Sequence, residues 1–381
     1  PSLHFFRWVD QLKDADFEVF WFDVTGAGNF IDRISWVHQI TDWKLRWDFP
    51  GRTFLKKKKP GLYNRIEKLN ERNTGKIFER ELKRIKPDIV HSFALYVSCT
   101  PIISVMEKYP GLKWILSTWG SDLFYFQNSN RYLKDIQRVL PRIDFLFTDC
   151  RRDYELAKKY GFQGKFLGVF PGGGGYDLEK MNSLKIPFEE RSLILIKGYQ
   201  GRSGRAIPVL EAVGYLREEL KCYKIVIFGA DKETKDYVEE NSFRAWPNIE
   251  VQGKIPQEQL WELMGQAKVY VGNSNSDGIP NTLLEALCLD AFPVQSNPGR
   301  VTEEIIQHRV NGILIGDCED RTEIMEAIKE ALNTVSLSTG LSANSEFKQS
   351  LDYDGLRRRV ISRYTQALGI STDNKKFMPD D

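Results

Sequence analysis

Two carboxylates, Asp277 and Glu285, lie eight positions apart around one turn of the chain. The turn follows a β-branched and aromatic run at 269–271, which is typical of a buried strand, and leads into a helical apolar pattern at 283–287. In an open α/β sheet this kind of loop binds ligands, because free backbone N–H groups and the positive end of the helix dipole point into it. Carboxylates there accept hydrogen bonds from hydroxyl groups. The alternative is structural: Asp277 caps the helix and Glu285 interacts with its dipole.

The length and composition limit what kind of protein positions these groups. A chain of 381 residues predicts two domains of roughly 150 to 200 residues each. A net charge of +2 is too mild to indicate nucleic acid as the main partner. Five scattered cysteines without CxxC spacing favour a reducing cytoplasm and disfavour both disulfides and structural zinc. No apolar run approaches the ~18 residues of a membrane span, and no signal peptide opens the chain, so we expect a soluble or peripheral cytoplasmic protein.

Strand and helix patterns alternate along most of the sequence, which predicts an α/β fold of two tandem Rossmann-like, doubly wound domains facing a central cleft. We expect an N-terminal domain over residues 1–170, completed by a C-terminal helix within 353–381, and a second domain over 171–352. The four glycines at 172–175 predict a hinge, a close-approach loop, or both. A helix is predicted at 301–308.

The start of the chain departs from this rhythm. A helical pattern at 3–13 comes first and a strand pattern at 17–24 follows, with no strand ahead of the helix. We therefore expect that the native chain begins upstream of Pro1 and that the first strand of the N-terminal domain is missing.

A basic and aromatic stretch occupies residues 43–59. Four lysines, Lys56 to Lys59, close it, and aromatic residues alternate with further basic ones before them. Such a stretch suits an anionic membrane surface, where each Lys or Arg contributes on the order of 1 kcal/mol. A solvated basic loop is the other interpretation.

The segment from about 249 to 332, which contains SNSDGIPNTLLEA at 274–286, resembles the donor half of glycosyltransferase family 4, a group of retaining GT-B enzymes that use nucleotide sugars. PDIVHSF at 87–93 and STWGSDL at 117–123 extend the resemblance. The family's donor motif has two glutamates separated by seven residues, and here Asp277 and Glu285 keep that spacing. The resemblance implies transfer of a hexose-type sugar to a glycan, lipid-linked or small-molecule acceptor, in cell-envelope polysaccharide or glycoconjugate synthesis.

The resemblance also implies roles for individual donor-side residues. Asp277 would lie near the hexose hydroxyls, with the backbone from Gly278 to Asn281 beside it, and Glu285 would hold the nucleotide ribose. The loop after the second domain's first strand would supply positive charge for the diphosphate, since guanidinium groups bind phosphate oxygens in pairs; a solvated basic loop is the alternative. The further donor-binding candidates are Lys197, Arg202, Arg205, Gly253, Lys254, Ile279 and Pro280.

On the acceptor side, many relatives carry a histidine in the loop that here reads Trp119-Gly120-Ser121-Asp122. We expect Asp122 to orient the acceptor hydroxyl in its place, with Trp119 and Ser121 nearby; the alternative is that Asp122 caps the next helix. His91, at the end of a predicted strand, is expected to face the cleft or to be structural.

Retaining transfer in this fold is generally read as front-face attack in which the departing phosphate accepts the acceptor's proton. No D-x-D pattern follows a strand of the donor half, so we expect neither a metal nor a cofactor besides the nucleotide sugar. Two other functions fit the same fold: a nucleotide-sugar epimerase, and a catalytically silent nucleotide-sugar-binding module. A dehydrogenase is disfavoured because no G-x-G-x-x-G follows a visible strand.

Overall fold

The computed structural model describes residues 2–47, 50–333 and 344–370. The strands are β1 Phe20–Phe22, β2 His38–Ile40, β3 Ile89–Phe93, β4 Lys113–Ser117, β5 Phe145–Thr148, β6 Lys165–Val169, β7 Leu193–Lys197, β8 Lys224–Phe228, β9 Ile249–Val251, β10 Ala267–Gly272, β11 Phe292–Ser296 and β12 Ile313–Ile315. The helices are α1 Leu3–Asp10, α2 Arg52–Lys58, α3 Pro60–Asn70, α4 Thr74–Ile85, α5 Ile103–Met106, α6 Asn130–Val139, α7 Arg151–Lys159, α8 Leu178–Ser183, α9 Ala206–Tyr215, α10 Lys232–Glu240, α11 Gln257–Gln266, α12 Asn281–Cys288, α13 Arg321–Asn333, α14 Ser345–Ser350 and α15 Tyr353–Leu368.

The second half of the chain builds a six-stranded parallel sheet in the order β12-β11-β10-β7-β8-β9. Its strands are short apolar runs, such as LILIK in β7 and KIVIF in β8, because helices cover both faces of a parallel sheet. The strand order reverses between β7 and β10, so the loops that leave these two strands diverge and open a crevice. Asp277 lies in the loop after β10, at that reversal point.

The first half contains a four-stranded parallel sheet, β3-β4-β5-β6, and a separate parallel pair, β1-β2. Helix α15, from the end of the described chain, packs on this half rather than on the preceding sheet. Its Leu356 and Val360 share a core with Trp8 of α1, whose indole N–H donates to the Tyr364 hydroxyl at 2.9 Å. The predicted fold class is confirmed by these two sets of parallel strands and by the solved structures described below.

The helix predicted at 301–308 does not form. Two short 3-10 turns, Pro298–Arg300 and Thr302–Glu304, occupy part of the segment instead. The Asn297 side chain accepts a hydrogen bond from the Thr302 backbone N–H at 2.9 Å, and Asn311 does the same for Gln307 at 2.7 Å. Asparagine side chains thus take backbone groups that a continuous helix would use.

Only part of the basic stretch at 43–59 is exposed on the surface. Trp43 is buried and stacks on Phe22 at 5.1 Å between ring centroids, so it belongs to the core. Trp47 and Phe54 are exposed, as are the four lysines that end the stretch. Residues 48–49 and 371–381 lie outside the described part of the chain. Among the described helices, none combines the length and apolar character that crossing a bilayer requires.

Candidate active site

The loops after β7 and β10 pair directly at the reversal point of the second sheet. The Arg205 N–H donates to the Asn273 carbonyl at 3.0 Å, and the Asn275 N–H donates to the Ser203 carbonyl at 2.9 Å. This pairing brings Lys197, the last residue of β7, opposite Asp277. Its Nζ lies 4.0 Å from Asp277 Oδ2, and the two side chains keep 27% and 33% of their surface exposed. A cation and a carboxylate therefore face the same open crevice.

Asp277 stands just ahead of the N-terminus of α12. Its Oδ1 accepts the Gly278 N–H at 3.0 Å, and Pro280 is the residue that caps the helix. Ile279 is buried in the core beneath the loop. The loop conformation fixes the first carboxylate, while Oδ2 stays directed toward Lys197.

Glycines let the loops of the two halves touch. A Cβ on Gly120 would lie 2.0 Å from the Gly278 nitrogen, and a Cβ on Gly278 would lie 2.0 Å from Asp149 Oδ2. Ser121 Oγ is also 3.0 Å from Ser276 Oγ. The loop at 119–122 is therefore in contact with the loop after β10, and the candidate site lies between the two sheets.

The run of glycines at 172–175 is a close-approach segment. A Cβ on Gly173 would lie 2.6 Å from the Asn281 side chain, and one on Gly175 would lie 2.6 Å from the Tyr353 backbone. Gly172 lies against Trp119 in the same way, at 3.2 Å. The segment therefore passes through a space that side chains would close.

Glu285 lies one turn inside α12 and is only 3% exposed. Its Oε1 accepts a hydrogen bond from Gln257 of α11 and lies 3.6 Å from Arg7 Nη1 of α1. Burial raises the pKa of Glu285, and the Arg7 cation opposes that rise. Glu285 therefore ties α1 and α11 to α12.

His4 is a cleft residue that sequence reasoning missed. Its Nδ1 accepts a hydrogen bond from Asn281 Nδ2 at 2.6 Å, and its ring lies 5.7 Å from that of Trp119. Burial lowers the pKa of His4; the Asp277 carboxylate opposes this shift, whereas Arg7 and Lys197 reinforce it. The ring is therefore neutral near pH 7 and carries its proton on Nε2. The sequence did contain one indication of this role. His4 lies in the first turn of a predicted helix, and the crevice of a doubly wound sheet is where ligands bind.

Two of the predicted phosphate-binding arginines already have partners. The guanidinium of Arg205 pairs with Glu319 and donates to the Gly204 carbonyl at 2.6 Å. The guanidinium of Arg202 lies 5.1 Å from the ring centroids of both Tyr125 and Phe126, so it bridges to the first half of the chain. Of the three predicted cations, Lys197 is the one that faces Asp277.

Gly253 and Lys254 follow β9, the edge strand of the second sheet. The Gly253 carbonyl accepts the Gly229 N–H at 3.0 Å, which joins the loops after β8 and β9. Lys254 is exposed. These two residues lie two strands from β7, away from the Lys197–Asp277 pair.

The hydrogen bonds of His91 favour the structural one of its two alternatives. Its Nδ1 pairs with the Tyr364 hydroxyl of α15, and its Nε2 pairs with the Ser117 hydroxyl at 2.8 Å. Burial lowers the pKa of His91 to about 3, so the ring stays neutral. It joins β3, β4 and the C-terminal helix α15.

Asp122 holds backbone amides that precede it in the chain, whereas the N-cap residue of α6, the next helix, is Ser129. Asp122 is 3% exposed, and its two oxygens accept the backbone N–H groups of Leu95 and Trp119 at 3.0 and 2.8 Å. Burial raises its pKa to about 7; the Asp153 carboxylate adds to the rise and the two amides oppose it. Its carboxylate holds the loop that presents Trp119 and Ser121.

A buried acidic cluster lies beneath the contact between the halves. Asp149, Cys150 and Asp153 place possible ligand atoms within 4.8 Å of one another. The Arg152 guanidinium donates to Asp153 at 2.9 Å and so already supplies a cation there. Burial raises the pKa of Asp153, and Arg152 opposes this shift.

Glu304 crosses from the second half to the N-terminus of α7. Its carboxylate accepts the backbone N–H groups of Arg151 and Arg152 at 2.6 and 2.8 Å. Arg152 itself donates to the carbonyl oxygens of Asp277 and Pro298. The first turn of α7 is therefore held by groups of the opposite half.

Comparison with known proteins shows what this chain is similar to. Residues 186–346 match the family model described as "Glycosyl transferases group 1". An α-1,4-N-acetyl-D-galactosaminyltransferase of Campylobacter jejuni, named for a diNAcBac-PP-undecaprenol-linked substrate, is 24% identical over 70% of this chain and 71% of its own.

Two solved structures extend the likeness beyond that segment. HepE of Anabaena, in complex with UDP and glucose, has a TM-score of 0.66 at 10% identity and covers 97% of this chain and 96% of its own. The pneumococcal O-GlcNAc transferase GtfA, in complex with UDP and GlcNAc, has a TM-score of 0.58 at 16% identity over 77% of this chain. The chain spans 59% of the length of GtfA. Residues 186–346 are therefore similar to glycosyl transferases group 1, within a chain that has the two-domain GT-B fold.

Proposed function

We propose that the protein is a retaining glycosyltransferase that moves a hexose-type sugar from a nucleotide-diphosphate sugar to a glycan or lipid-linked acceptor of the cell envelope. The observation that carries this proposal is the pairing of Lys197 Nζ with Asp277 Oδ2 at 4.0 Å across the reversal point of the donor sheet. The Campylobacter relative, named for an undecaprenol-linked substrate, supports the acceptor class. HepE and GtfA, each in complex with UDP and a sugar, support the donor class.

In this proposal the diphosphate and the sugar of the donor bind to different residues of the crevice. Lys197 binds the diphosphate, where negative charge grows as the glycosidic bond breaks. The α12 N-terminus adds its free backbone N–H groups and its positive dipole end. Asp277 accepts hydrogen bonds from the sugar hydroxyls, and its partner Lys197 is already close enough to orient it. Asn281, fixed by His4, presents its remaining amide groups to the same space.

The chemical step proceeds on one face of the sugar. The bond between the anomeric carbon and the phosphate oxygen breaks, and the acceptor oxygen forms a new bond to that carbon from the same side. The acceptor's proton passes to the departing phosphate oxygen, so no protein base is required. Asp122 fits a positioning role, because both of its oxygens are taken by backbone amides. We propose that Lys197 supplies the charge that a metal supplies elsewhere, so chelation with EDTA should leave the rate unchanged.

The exposed part of 43–59 supports a peripheral position at the inner face of the plasma membrane. Trp47 and Phe54 are exposed apolar groups, and the lysines at 56–59 are exposed beside them. Interfacial aromatic residues with flanking lysines favour anionic bilayers. Sedimentation with vesicles containing phosphatidylserine, compared with neutral vesicles, tests this; equal partition would contradict it.

The decisive experiment supplies UDP-, GDP-, ADP- and CDP-hexoses with a radiolabelled sugar, with and without a cell-envelope lipid or glycan extract. Label that moves to the extract, in the donor's anomeric configuration, supports the proposal. Conversion or release of the sugar without an acceptor would indicate an epimerase, and binding without turnover would indicate a silent module. Asp277→Asn should lower transfer at least a hundredfold, whereas Asp277→Glu keeps the acceptor group and should retain most of it. Glu233→Gln, in the first turn of α10, is the matched control.

A further inference from the structure

Three side chains that can bind a metal ion meet where the chain passes from β5 into α7. Asp149 follows β5, Cys150 is the last residue before α7, and Asp153 lies in the first turn of that helix. One ligand atom from each residue, two carboxylate oxygens and a thiol sulfur, lies within 4.8 Å of the other two. All three residues are buried. The local backbone therefore brings three possible ligand atoms to one point in the interior.

The carboxylate of Asp149 is buried without a partner for one of its oxygens. The residue is 7% exposed, and its Oδ1 has no hydrogen bond within the described residues. Asp153 is fully buried; the Arg152 guanidinium donates to its Oδ1 at 2.9 Å, and its Oδ2 has no hydrogen-bond partner among the same residues. Buried carboxylate oxygens are normally paired, because burial removes the water that would otherwise bind them. Two oxygens in the cluster therefore lack the partner that burial requires.

The charges around Asp149 are unequal. Burial raises the pKa of Asp149, and the Arg152 cation opposes that rise. The carboxylates that add to it belong to Asp153, Asp122 and Asp277. Several acidic groups thus face one guanidinium. Since buried charges in proteins are paired or coordinate metal ions, the cluster requires either bound protons or a further cation.

The positive end of the α7 dipole does not exclude a cation here, because Glu304 already occupies it. The Glu304 carboxylate accepts the backbone N–H groups of Arg151 and Arg152 at 2.6 and 2.8 Å. The side chain of Cys150, the N-cap residue, makes no capping hydrogen bond to the helix. The helix amides therefore do not compete with a metal ion for the Cys150 sulfur.

The ligand types select the kind of cation. Mg²⁺ and Ca²⁺ prefer oxygen ligands throughout, whereas Zn²⁺ accepts cysteine sulfur together with carboxylate oxygen. Neighbouring ligand atoms of a tetrahedral Zn²⁺ ion lie about 3.5 Å apart. Atoms that are already within 4.8 Å of one another need only small side-chain rotations to reach that spacing. A divalent ion also balances one thiolate and two carboxylates together with the Arg152 cation.

We propose that Asp149, Cys150 and Asp153 form a binding site for one Zn²⁺ ion, with water in the fourth position and the Cys150 proton released to solvent. The ion fastens the end of β5 to the first turn of α7. A Cβ on Gly278 would lie 2.0 Å from Asp149 Oδ2, so the carboxylate that binds the ion also packs against the loop after β10. The role is structural and supplies no charge at a diphosphate, so the inference stands independently of the proposed transferase activity.

Cobalt substitution tests the site directly. The chain of 381 residues is stripped with a chelator, freed of it, kept reduced with a phosphine and titrated with Co²⁺. One equivalent should produce a thiolate-to-cobalt charge-transfer band in the near ultraviolet. Zn²⁺ should abolish the band, because sites with nitrogen, oxygen or sulfur ligands bind Zn²⁺ more tightly than Co²⁺. Cys150→Ser should remove the band, whereas Cys222→Ser, at an exposed cysteine, should leave it.

The carboxylate ligand has its own test. Asp149→Asn should raise Kd for Zn²⁺ at least tenfold, since loss of even a group behind a metal ligand typically costs 10- to 100-fold in affinity. Glu233→Gln, at an exposed carboxylate on α10, should bind Zn²⁺ as the wild type does. Zn²⁺ should also raise the thermal unfolding midpoint of the wild type, because it binds the folded chain.

The outcomes separate a metal ion from bound protons. Absence of the band, or a band that survives Cys150→Ser, would overturn the proposal. Zn²⁺ binding at millimolar concentration only, without a change in the unfolding midpoint, would do the same and would assign the cluster to shared protons. If Cys150→Ser does not fold, X-ray absorption of the Zn²⁺-loaded wild type takes its place. One sulfur at about 2.3 Å with oxygens at about 2.0 Å supports the site, and a shell without sulfur contradicts it.

Discussion

Arg152 donates a hydrogen bond from Nη2 to the main-chain oxygen of Asp277 at 2.8 Å, and this bond crosses from the first half of the chain to the donor loop. Nη1 of the same guanidinium donates to the Pro298 carbonyl at 2.9 Å. The Phe124 ring lies 4.0 Å below it. One planar side chain therefore holds the loop that presents the first carboxylate of the site.

Arg152→Lys should loosen this loop while keeping the charge. A lysine cannot reach two carbonyls in the plane that the guanidinium spans. We expect KM for the donor to rise about tenfold, with a loss of about 1–2 kcal/mol of unfolding free energy from the lost hydrogen bonds. Steady-state kinetics and thermal unfolding measure the two effects. Arg151→Lys, an exposed neighbour, is the control, and equal behaviour of the two variants would refute the role assigned to Arg152.

Lys197 should govern binding of the nucleotide diphosphate. Lys197→Met removes the cation that faces Asp277, so we expect Kd for UDP or GDP to rise about 10- to 100-fold, as for loss of a charge-assisted hydrogen bond. Isothermal titration calorimetry measures this change, and Lys197→Arg should recover part of the affinity. Lys232→Met, at an exposed site on α10, provides the comparison. Wild-type affinity in Lys197→Met would place the diphosphate elsewhere.

The pair formed by His4 and Asn281 should act as one unit. His4→Ala and Asn281→Ala should each lower kcat/KM about tenfold, and the double variant should lose little more, because each single change already breaks the same bond. Protonation of Nδ1 would also break it. Since burial lowers the pKa of His4, the wild-type contribution should persist below pH 6.5. Additive losses in the double variant would show that the two side chains act separately.

His91 and Asp122 should change the unfolding free energy with pH in opposite directions. The pKa of His91 is about 3 in the folded protein and about 6.5 in an unfolded chain, so between these values the unfolded chain binds the extra proton. The unfolding free energy then falls as pH decreases, by up to about 1.4 kcal/mol per pH unit. Asp122, with a folded pKa of about 7, binds its extra proton in the folded state above pH 4 and opposes that slope.

Replacing either residue should reveal the effect of the other on the pH dependence of stability. His91→Gln should become less sensitive to acid than the wild type between pH 6.5 and 4, whereas Asp122→Asn should become more sensitive. Urea unfolding at half-unit pH intervals gives the slopes. His38→Gln, at an exposed histidine, should follow the wild type. Parallel slopes in all four proteins would rule out both groups as the source.

Local pattern was enough to predict the fold class and the position of the main carboxylate. Asp277 could be placed at a strand-to-helix turn because the signals for that turn are local in the sequence. They are the apolar run of β10, the glycine and proline after it, and the apolar face of α12. His4 and Arg152 were missed because their importance depends on how two distant halves dock. The choice between the two alternatives for His91 stayed open for the same reason: its partner Tyr364 is 273 positions away.

The helix predicted at 301–308 does not form for a different reason. Its apolar spacing is helical, but Asn297 and Asn311 offer the backbone competing hydrogen bonds from either side. The periodic pattern of 301–308 carries no information about side chains on either side of that segment.

Because Glu304 of one half satisfies the first N–H groups of α7 in the other, separating the halves would leave that helix without its N-terminal partner. An N-cap of this kind contributes about 1 kcal/mol, and the cost falls on the half that did not supply it. The two halves should therefore melt as one cooperative unit, with a calorimetric enthalpy equal to the van't Hoff enthalpy. Glu304→Ala should lower the unfolding free energy by about 1 kcal/mol within that single transition, because Arg152 and the close glycine contacts still join the halves.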